Sequence, residues 1–176
     1  MIFQETKLKG AFIVDVNRHE DNRGSFSRTY CQREFKEHGI EPEVVQANMS
    51  TNKIKGTLRG LHYQKDPHQE TKFIRCIKGA LYDVIVDLRP HSPTYKGWVG
   101  VELTEQNQRA LFVPKDFAHG FVTLVDDTTA FYMVSQFYYP GAEMGIRWND
   151  TSFKIKWPVE PLCITEKDSS WSDYLV

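Results

Sequence analysis

Two histidines lie in segments where their side chains could act as an acid or a base. His62 lies in LRGLHYQ and His119 in VPKDFAHGF, and an imidazole can take up or release a proton near neutral pH. On a regular strand Arg59 and His62 would face opposite ways, but Gly60 permits a bulge that shifts the alternation by one residue. For His62 the spacing leaves two interpretations open, a catalytic position and a surface loop. His119 opens an apolar strand, where a lone histidine is more often structural.

Other polar side chains are predicted to share one apolar interior. Side chains alternate along a strand, which places Lys72 on the apolar face of KFIRCIK and Asp83 on an apolar face of LYDVIVDL. Because an unpaired buried ammonium is costly, we interpret Asp83 as the partner of Lys72. Tyr132 and Tyr138 have the same parity in TAFYMVSQFYY, so both phenols can project into one cavity. Together these residues predict a polar site inside a barrel.

The elements that must position these side chains are predicted to be short strands. Segments rich in β-branched and aromatic residues recur between turn signals, at intervals typical of a β-sandwich or barrel. They are AFIVDV, EVVQANMS, KFIRCIKG, LYDVIVDL, RALFVP, HGFVTL and TAFYMVSQFYY. Only the stretch from Gln32 to His38, followed by Gly39, has the pattern of a short helix. The alternation of strand and long helix that is typical of a parallel α/β sheet is missing, so the sequence predicts an all-β fold.

Length and charge restrict the domain organisation and the partners. A chain of 176 residues fits one domain, and we expect residues 1–176 to form it. The 22 basic and 23 acidic residues nearly balance, which argues against nucleic acid or a membrane as the main partner. The N-terminal sequence lacks the apolar core of a signal peptide, and no run approaches the roughly 20 apolar residues of a membrane span, so we expect a cytoplasmic protein. Three widely separated cysteines predict free, mostly buried thiols.

Longer strings of the sequence resemble one known family. The resemblance to the dTDP-4-dehydrorhamnose 3,5-epimerase family extends from about Gly10 to Asp168 and is carried by RGLHYQ, KFIRCIKGALYDVIVDLRPHSPTYKGWVGVEL, FVPKDFAHGFVTL, IRWND and TEKD. It implies an enzyme that inverts C3 and C5, the carbons next to the ketone, in a nucleotide-linked 4-keto-6-deoxyhexose. The implied fold is a single-domain jelly-roll, cupin-like β-barrel with a few short helices. The implied assembly is a homodimer without cofactor or metal, in which residues 1–30 reach the partner subunit.

The resemblance implies catalytic roles for four residues. His62 matches the base that removes the proton next to the ketone, and Asp168, in TEKD, matches the carboxylate that orients this base. Lys72 would place its positive charge at the enolate oxygen on C4. Tyr132 matches the proton donor on the opposite face of the sugar. Inversion needs two such groups, because the proton must return from the other side.

The resemblance also implies a set of substrate-binding residues. Positions that hold the diphosphate and the sugar are matched by Arg23, Arg59, His119 and Lys167. They supply the local positive charge that an anionic ligand requires. Tyr138 matches a ring that stacks on the nucleobase. The predicted set is completed by Gln46, Asn48, Phe26, Arg28, Glu143 and, as the partner of Lys72, Asp83.

One position departs from the family pattern. Where the family usually reads Arg-Gly-Phe-Phe-x-Glu, this chain reads RGSFSR, from Arg23 to Arg28. A glutamate can accept the N3–H of thymine, whereas an arginine can donate to the N3 and carbonyl acceptors of cytosine. Two interpretations follow. Either Arg28 reaches the base and the enzyme tolerates or prefers a CDP-linked sugar, or Arg28 turns outward or meets a phosphate.

Three alternative functions compete with inversion at both carbons. An enzyme that inverts only C3 could use the same base, lysine and tyrosine. A metal-dependent cupin is disfavoured because its metal site requires a clustered His-x-His pair. In this chain His62 is followed by Tyr63 and Gln64, so the second histidine of such a pair is missing. A non-catalytic sugar-binding cupin is disfavoured because we would expect it to lack His62 or Tyr132.

Overall fold

The computed structural model of the chain describes residues 1–40 and 43–174. The strands in these residues are β1 (Ile2–Glu5), β2 (Phe12–Asp15), β3 (Arg18–Asp21), β4 (Gly24–Ser27), β5 (Gln46–Asn52), β6 (Leu58–Gln64), β7 (Lys72–Lys78), β8 (Ala80–Asp87), β9 (Trp98–Thr104), β10 (Ala110–Val113), β11 (Phe117–Thr123), β12 (Thr128–Val134) and β13 (Glu143–Gly145). The helices are α1 (Gln32–Glu37) and α2 (Glu166–Ser169), with a 3₁₀ turn at Pro140–Ala142. The all-β prediction with a few short helices is confirmed.

The strands form two facing sheets. One sheet has the order β1-β2-β10-β7-β12-β5 and the other the order β13-β6-β11-β8-β9, while β3 and β4 form a separate hairpin. From β5 to β13 the chain passes repeatedly between the two sheets, which gives the jelly-roll, cupin-like barrel. The main core contains side chains of both sheets and therefore lies between them; it includes Ile74, Leu81, Ile85, Leu111 and Phe121.

Each sheet is also covered on its outer face. On the six-stranded sheet, Phe35 of α1 packs among buried side chains that include Phe73 and Phe112. On the five-stranded sheet, the chain after β13 supplies Ile146 and Phe153 to a second outer cluster. The segment that covers this sheet continues into α2, which carries Asp168, one of the site residues described below.

One predicted strand is shorter than the pattern indicates. β12 ends at Val134, whereas the aromatic pattern continues to Tyr139. Val134 pairs with Gln46 and Lys72, which are the first residues of β5 and β7, so both neighbouring strands begin where β12 ends. The prediction that Tyr138 lies on the same strand as Tyr132 is therefore wrong, but the prediction that both phenols reach one cavity is confirmed.

The cysteines of the chain differ in their exposure to solvent. The three cysteines are free, as predicted, but only Cys76 is buried. Cys31 is half-buried and Cys163 is exposed, so the expectation of mostly buried thiols is wrong. Across residues 1–40 and 43–174, the helices are all too short or too polar to cross a membrane.

A buried carboxylate organises the turn that follows β8. Both oxygens of Asp87 accept from the Arg89 guanidinium at 2.8 Å, and Oδ2 also accepts from Ser92 and Thr94 at 2.5 and 2.6 Å. Burial alone would raise the pKa of Asp87, but these hydrogen bonds outweigh it and lower the pKa from its usual 3.8 to about 2. The folded state therefore favours the ionised form.

Replacing Asp87 by Asn is expected to destabilise the fold by about 2 kcal/mol at neutral pH. Because the folded pKa is depressed, this contribution is present above the unfolded pKa of about 4 and is lost as pH falls towards about 2. Urea unfolding of both proteins at about pH 6 and about pH 2.5 measures it, and the difference between them should shrink at the lower pH. The control is Asp127→Asn, an exposed carboxylate. An Asp87→Asn difference that does not change with pH would contradict this account.

Candidate active site

A bulge in β6 turns two polar side chains into one cavity. In the ladder between β6 and β11, His62 pairs with His119, but the register shifts before Arg59. Gly60, inside the shift, has a φ of +110°, and a Cβ there would lie 2.7 Å from the carbonyl oxygen of His119. Glycine is therefore required for this approach of the two strands. Arg59 and His62 line the same cavity, as the predicted bulge requires.

Two adjoining cavities lie at this end of the barrel. The first, called the Arg59 cavity, has a volume of about 410 Å³, and its lining includes Ser50, Arg59, His62, Lys72, His119, Tyr132 and Asp168. The second, called the Tyr138 cavity, has a volume of about 370 Å³, and its lining includes Gln46, Asn48, His62, Glu70, Lys72, Tyr132, Tyr138 and Glu143. His62, Lys72 and Tyr132 belong to both. The three side chains are therefore accessible to one ligand that spans the two cavities.

His62 is held by a carboxylate from the far end of the chain. Nε2 of His62 lies 2.6 Å from Oδ1 of Asp168, and the backbone N–H of Gly60 donates to Oδ2 at 3.2 Å. Thr165 caps α2 by accepting from the backbone N–H of Asp168. Burial would raise the pKa of Asp168, but the bonds from His62, Gly60 and Thr165 and the charge of His62 lower it overall. An ionised Asp168 fixes the ring and leaves Nδ1 to take up a proton.

Tyr132 approaches the cavities from the opposite sheet. It lies on β12, next to Asn48 of β5 and Ile74 of β7, whereas His62 lies on β6 of the five-stranded sheet. Burial raises the pKa of Tyr132, the negative charge of Glu70 raises it further, and the positive charge of Arg59 lowers it. Tyr132 is therefore a neutral phenol at physiological pH, on the opposite side of the barrel from His62.

Lys72 has a different partner from the one predicted. It lies on the interior face, as the alternation indicates, but its ammonium contacts the carboxylate of Glu70, and both side chains are nearly buried, at 11% and 13% exposure. Asp83 instead contacts His119, with 2.8 Å between Oδ1 and Nε2. The prediction that Asp83 pairs with Lys72 is wrong. Glu70 lies only two residues before Lys72, while Asp83 is occupied by a histidine of the neighbouring strand β11.

A polar cluster forms the rim of the Tyr138 cavity. Glu143 accepts from the Tyr138 hydroxyl at 2.6 Å and from the Lys167 ammonium at 2.7 Å. The side-chain oxygen of Gln46 accepts the backbone N–H of Tyr138 at 2.8 Å. The Tyr138 ring is 57% exposed, which leaves its face free for a planar ligand. Four of the predicted binding residues thus come together on the rim.

The hairpin residues of the predicted set lie elsewhere. Arg23 is exposed and pairs with Asp21, and Phe26 is 69% exposed. Arg28 lies 3.7 Å from Glu34 of α1 and is also largely exposed. Within one chain, the structure does not bring the hairpin residues into either cavity.

Sequence reasoning missed several residues of the cavities, among them Glu70 and Ser50. Glu70 lies before β7 and belongs to no predicted strand. It is two residues before Lys72, however, so extending the alternation of β7 backwards places both side chains on the interior face. Ser50 has the same parity as Gln46 and Asn48 on β5, and its hydroxyl is buried without a hydrogen-bond partner in the described residues. Both could have been found by extending the strand parity.

In the part of the chain that the structure describes, no three His, Cys, Asp or Glu side chains are grouped to hold a metal ion.

Comparisons with known proteins agree with the geometry. A sequence model of dTDP-4-dehydrorhamnose 3,5-epimerase matches residues 5–174. A relative of that name from Methanothermobacter thermautotrophicus is 42% identical over 172 residues, which cover 96% of this chain and 92% of the relative. The crystal structure of such an epimerase from Bacillus anthracis, with TDP and PPi bound, has a TM-score of 0.95 at 40% identity, covering 98% of this chain and 99% of the other. An epimerase from Legionella pneumophila, in complex with dTDP-4-keto-L-rhamnose, has a TM-score of 0.91 at 34% identity, covering 97% and 90%. The chain belongs to the dTDP-4-dehydrorhamnose 3,5-epimerase family.

Proposed function

We propose that this chain inverts C3 and C5 of dTDP-4-keto-6-deoxyglucose. The observation that carries the proposal is the placement of two proton-transfer groups on opposite walls of one site. His62, bonded to Asp168, lies on one sheet, Tyr132 lies on the facing sheet, and Lys72 lines the same two cavities. An inversion next to a ketone needs this arrangement, because one face of the carbon loses a proton and the other gains one.

The first half of the reaction removes a proton from C3 or C5. His62 takes the proton, the C–H electrons form a double bond to C4, and the C4 oxygen becomes an enolate. We propose that the ammonium of Lys72 stabilises this oxygen, since a preorganised charge in a water-poor cavity is more effective than solvent. Asp168 then balances the charge of the protonated imidazole.

The second half returns a proton to the opposite face. Tyr132 donates its phenolic proton to the carbon, and the enolate electrons return to the C4 carbonyl. The phenolate and the imidazolium then exchange protons with solvent, which resets the site for the next carbon. A neutral Tyr132 is required for this step, and burial of the phenol supports it.

The nucleotide is proposed to lie along the rim. Tyr138 would stack on the base, and Arg59, His119 and Lys167 would contact the diphosphate and the sugar. The relatives' names support a dTDP-linked sugar. The pairing of Arg28 with Glu34 supports the interpretation in which Arg28 turns away from the base, and we therefore propose dTDP over CDP.

We further propose that residues 1–176 form one epimerase domain that works as a homodimer. The hairpin of β3 and β4 is almost wholly exposed, and Phe26 and Met49 present large apolar side chains to solvent. Exposed apolar surface of this kind favours contact with another protein surface. Within residues 1–30, Arg23 and Phe26 would then enter the partner's site.

Incubation in deuterated water tests the proposed reaction. With dTDP-4-keto-6-deoxyglucose, we expect NMR to show product inverted and deuterated at both C3 and C5. Label at C3 alone would instead assign the C3-only reaction, and no label at either carbon would refute the epimerase proposal. The CDP-linked sugar is the matched control. For it we expect a kcat/KM at least about tenfold below that of the dTDP-linked sugar, a difference equivalent to about 1.4 kcal/mol in transition-state binding. A preference for CDP would instead assign Arg28 to the base.

A further inference from the structure

Glu70 is an acidic residue in direct contact with Lys72, the enolate-stabilising group of the proposed mechanism. Its carboxylate contacts the Lys72 ammonium, and both side chains are nearly excluded from solvent. An ion pair in such a place is tighter than a surface pair, because water screens it less. Without Glu70, the ammonium would be buried without its observed counter-ion, which is costly.

The backbone around Glu70 is fixed on two sides. The N–H of Thr71 donates to the Ser135 hydroxyl at 2.8 Å, and the N–H of Ser135 donates to the carbonyl of Thr71 at 3.2 Å. The amide of Gln64 lies 3.5 Å from the second oxygen of Glu70 and also donates to the carbonyls of His68 and Phe137. The carboxylate is therefore held at the cavity wall.

Glu70 shares the Tyr138 cavity with Tyr132, among groups of both signs. The cationic or basic groups that line the two cavities are Arg59, His62, Lys72 and His119. The acidic groups are Glu70, Glu143 and Asp168, with Asp83 behind His119, and the other phenols are Tyr63 and Tyr138. Asp168, Asp83 and Glu143 are each already bonded to a basic partner. Glu70 is thus the acid that both holds Lys72 and raises the pKa of Tyr132.

We propose that Glu70 is a positioning residue of this site, whose carboxylate fixes the Lys72 ammonium and places a negative charge in the cavity that Tyr132 lines. Glu70 does not touch the reacting carbon. It acts through the two groups that do the chemistry, by fixing the position of Lys72 and by adding its charge to the burial that favours the protonated form of Tyr132.

Titration of Tyr132 tests this inference directly. Phenolate absorbance is measured against pH in the wild type and in Tyr132→Phe, and the difference isolates the ionisation of Tyr132. The same pair of curves is then measured on a Glu70→Gln background. Glutamine keeps the size and the hydrogen-bonding oxygen of Glu70 but removes its charge, so the midpoint of Tyr132 is expected to fall by about one pH unit.

The control is Asp66→Asn, which removes an exposed carboxylate of the same segment and should leave the midpoint unchanged. If Glu70→Gln folds poorly, Glu70→Asp serves as a second variant, since it keeps the charge and should keep the midpoint close to the wild type. A midpoint in Glu70→Gln equal to that of the wild type overturns the proposal. So does an equal fall in the Asp66→Asn control.

The kinetic part of this inference rests on the proposed function. In Glu70→Gln we expect the alkaline limb of kcat to move to lower pH together with the Tyr132 midpoint, while KM changes by less than about twofold. The titration itself needs no substrate. An unchanged Tyr132 midpoint would contradict the role of Glu70 but not the proposed epimerase reaction. A wild-type protein without epimerase activity would contradict the proposed function but not the titration result.

Discussion

His62→Ala is expected to abolish deuterium incorporation at both C3 and C5. In the proposed mechanism the base removes the first proton whichever carbon reacts first, and among residues 1–40 and 43–174 no other basic nitrogen of the cavities is bonded to Asp168. General-base catalysis is worth about 10²- to 10⁴-fold, so we expect kcat to fall by about 10³-fold or more. NMR of the recovered sugar measures both the exchange and the inversion in one sample.

The fold should survive this substitution. His62 is about one-third exposed and is not part of the main core, so the thermal midpoint should change little. The matched control is His91→Ala, an exposed histidine outside both cavities, which should retain full exchange. Exchange at C3 that persisted at the wild-type rate in His62→Ala would show that the base is another group.

Tyr132→Phe is expected to separate the two halves of the reaction. The substitution removes the proton donor but leaves His62 and Lys72 in place, so the enolate can still form and be reprotonated from the side of the base. Product formation should fall by about 10²-fold or more, while recovered substrate continues to acquire deuterium at C3 and C5. Time courses of label in substrate and in product measure the two processes independently.

Tyr82→Phe is the control for this substitution. Tyr82 is a half-buried phenol whose pKa is also raised by burial, but it packs in the outer cluster of the five-stranded sheet. It should retain both exchange and product formation. If Tyr132→Phe lost exchange and product formation equally, Tyr132 would have a role in binding or packing instead of proton donation.

Strand parity predicted much of the site, because the interior of a barrel is a local property of each strand. It placed Lys72 and Asp83 on interior faces and, with a bulge at Gly60, directed Arg59 and His62 to one side. These inferences need only the alternation of side chains along a strand.

The rest depended on where strands end and on contacts between distant segments. The end of β12 at Val134 is set by the starts of its neighbours, which no pattern within TAFYMVSQFYY reveals. Likewise, Glu70 displaced Asp83 as the partner of Lys72 because of their positions in space. Asp168 was found only through the family resemblance, since 106 positions separate it from His62.

The docking of α2 on β6 has a consequence for the maturation of the enzyme. The barrel is complete by β13, yet Asp168, the carboxylate bonded to His62, arrives on a single helical turn more than twenty positions later. During synthesis, a nascent chain that has released its barrel from the ribosome therefore carries His62 without Asp168. In the proposed mechanism, full activity would therefore require this late segment to emerge and to bring Asp168 to His62. A chain cut between β13 and α2 would lose Asp168 together with part of the outer cover of the five-stranded sheet.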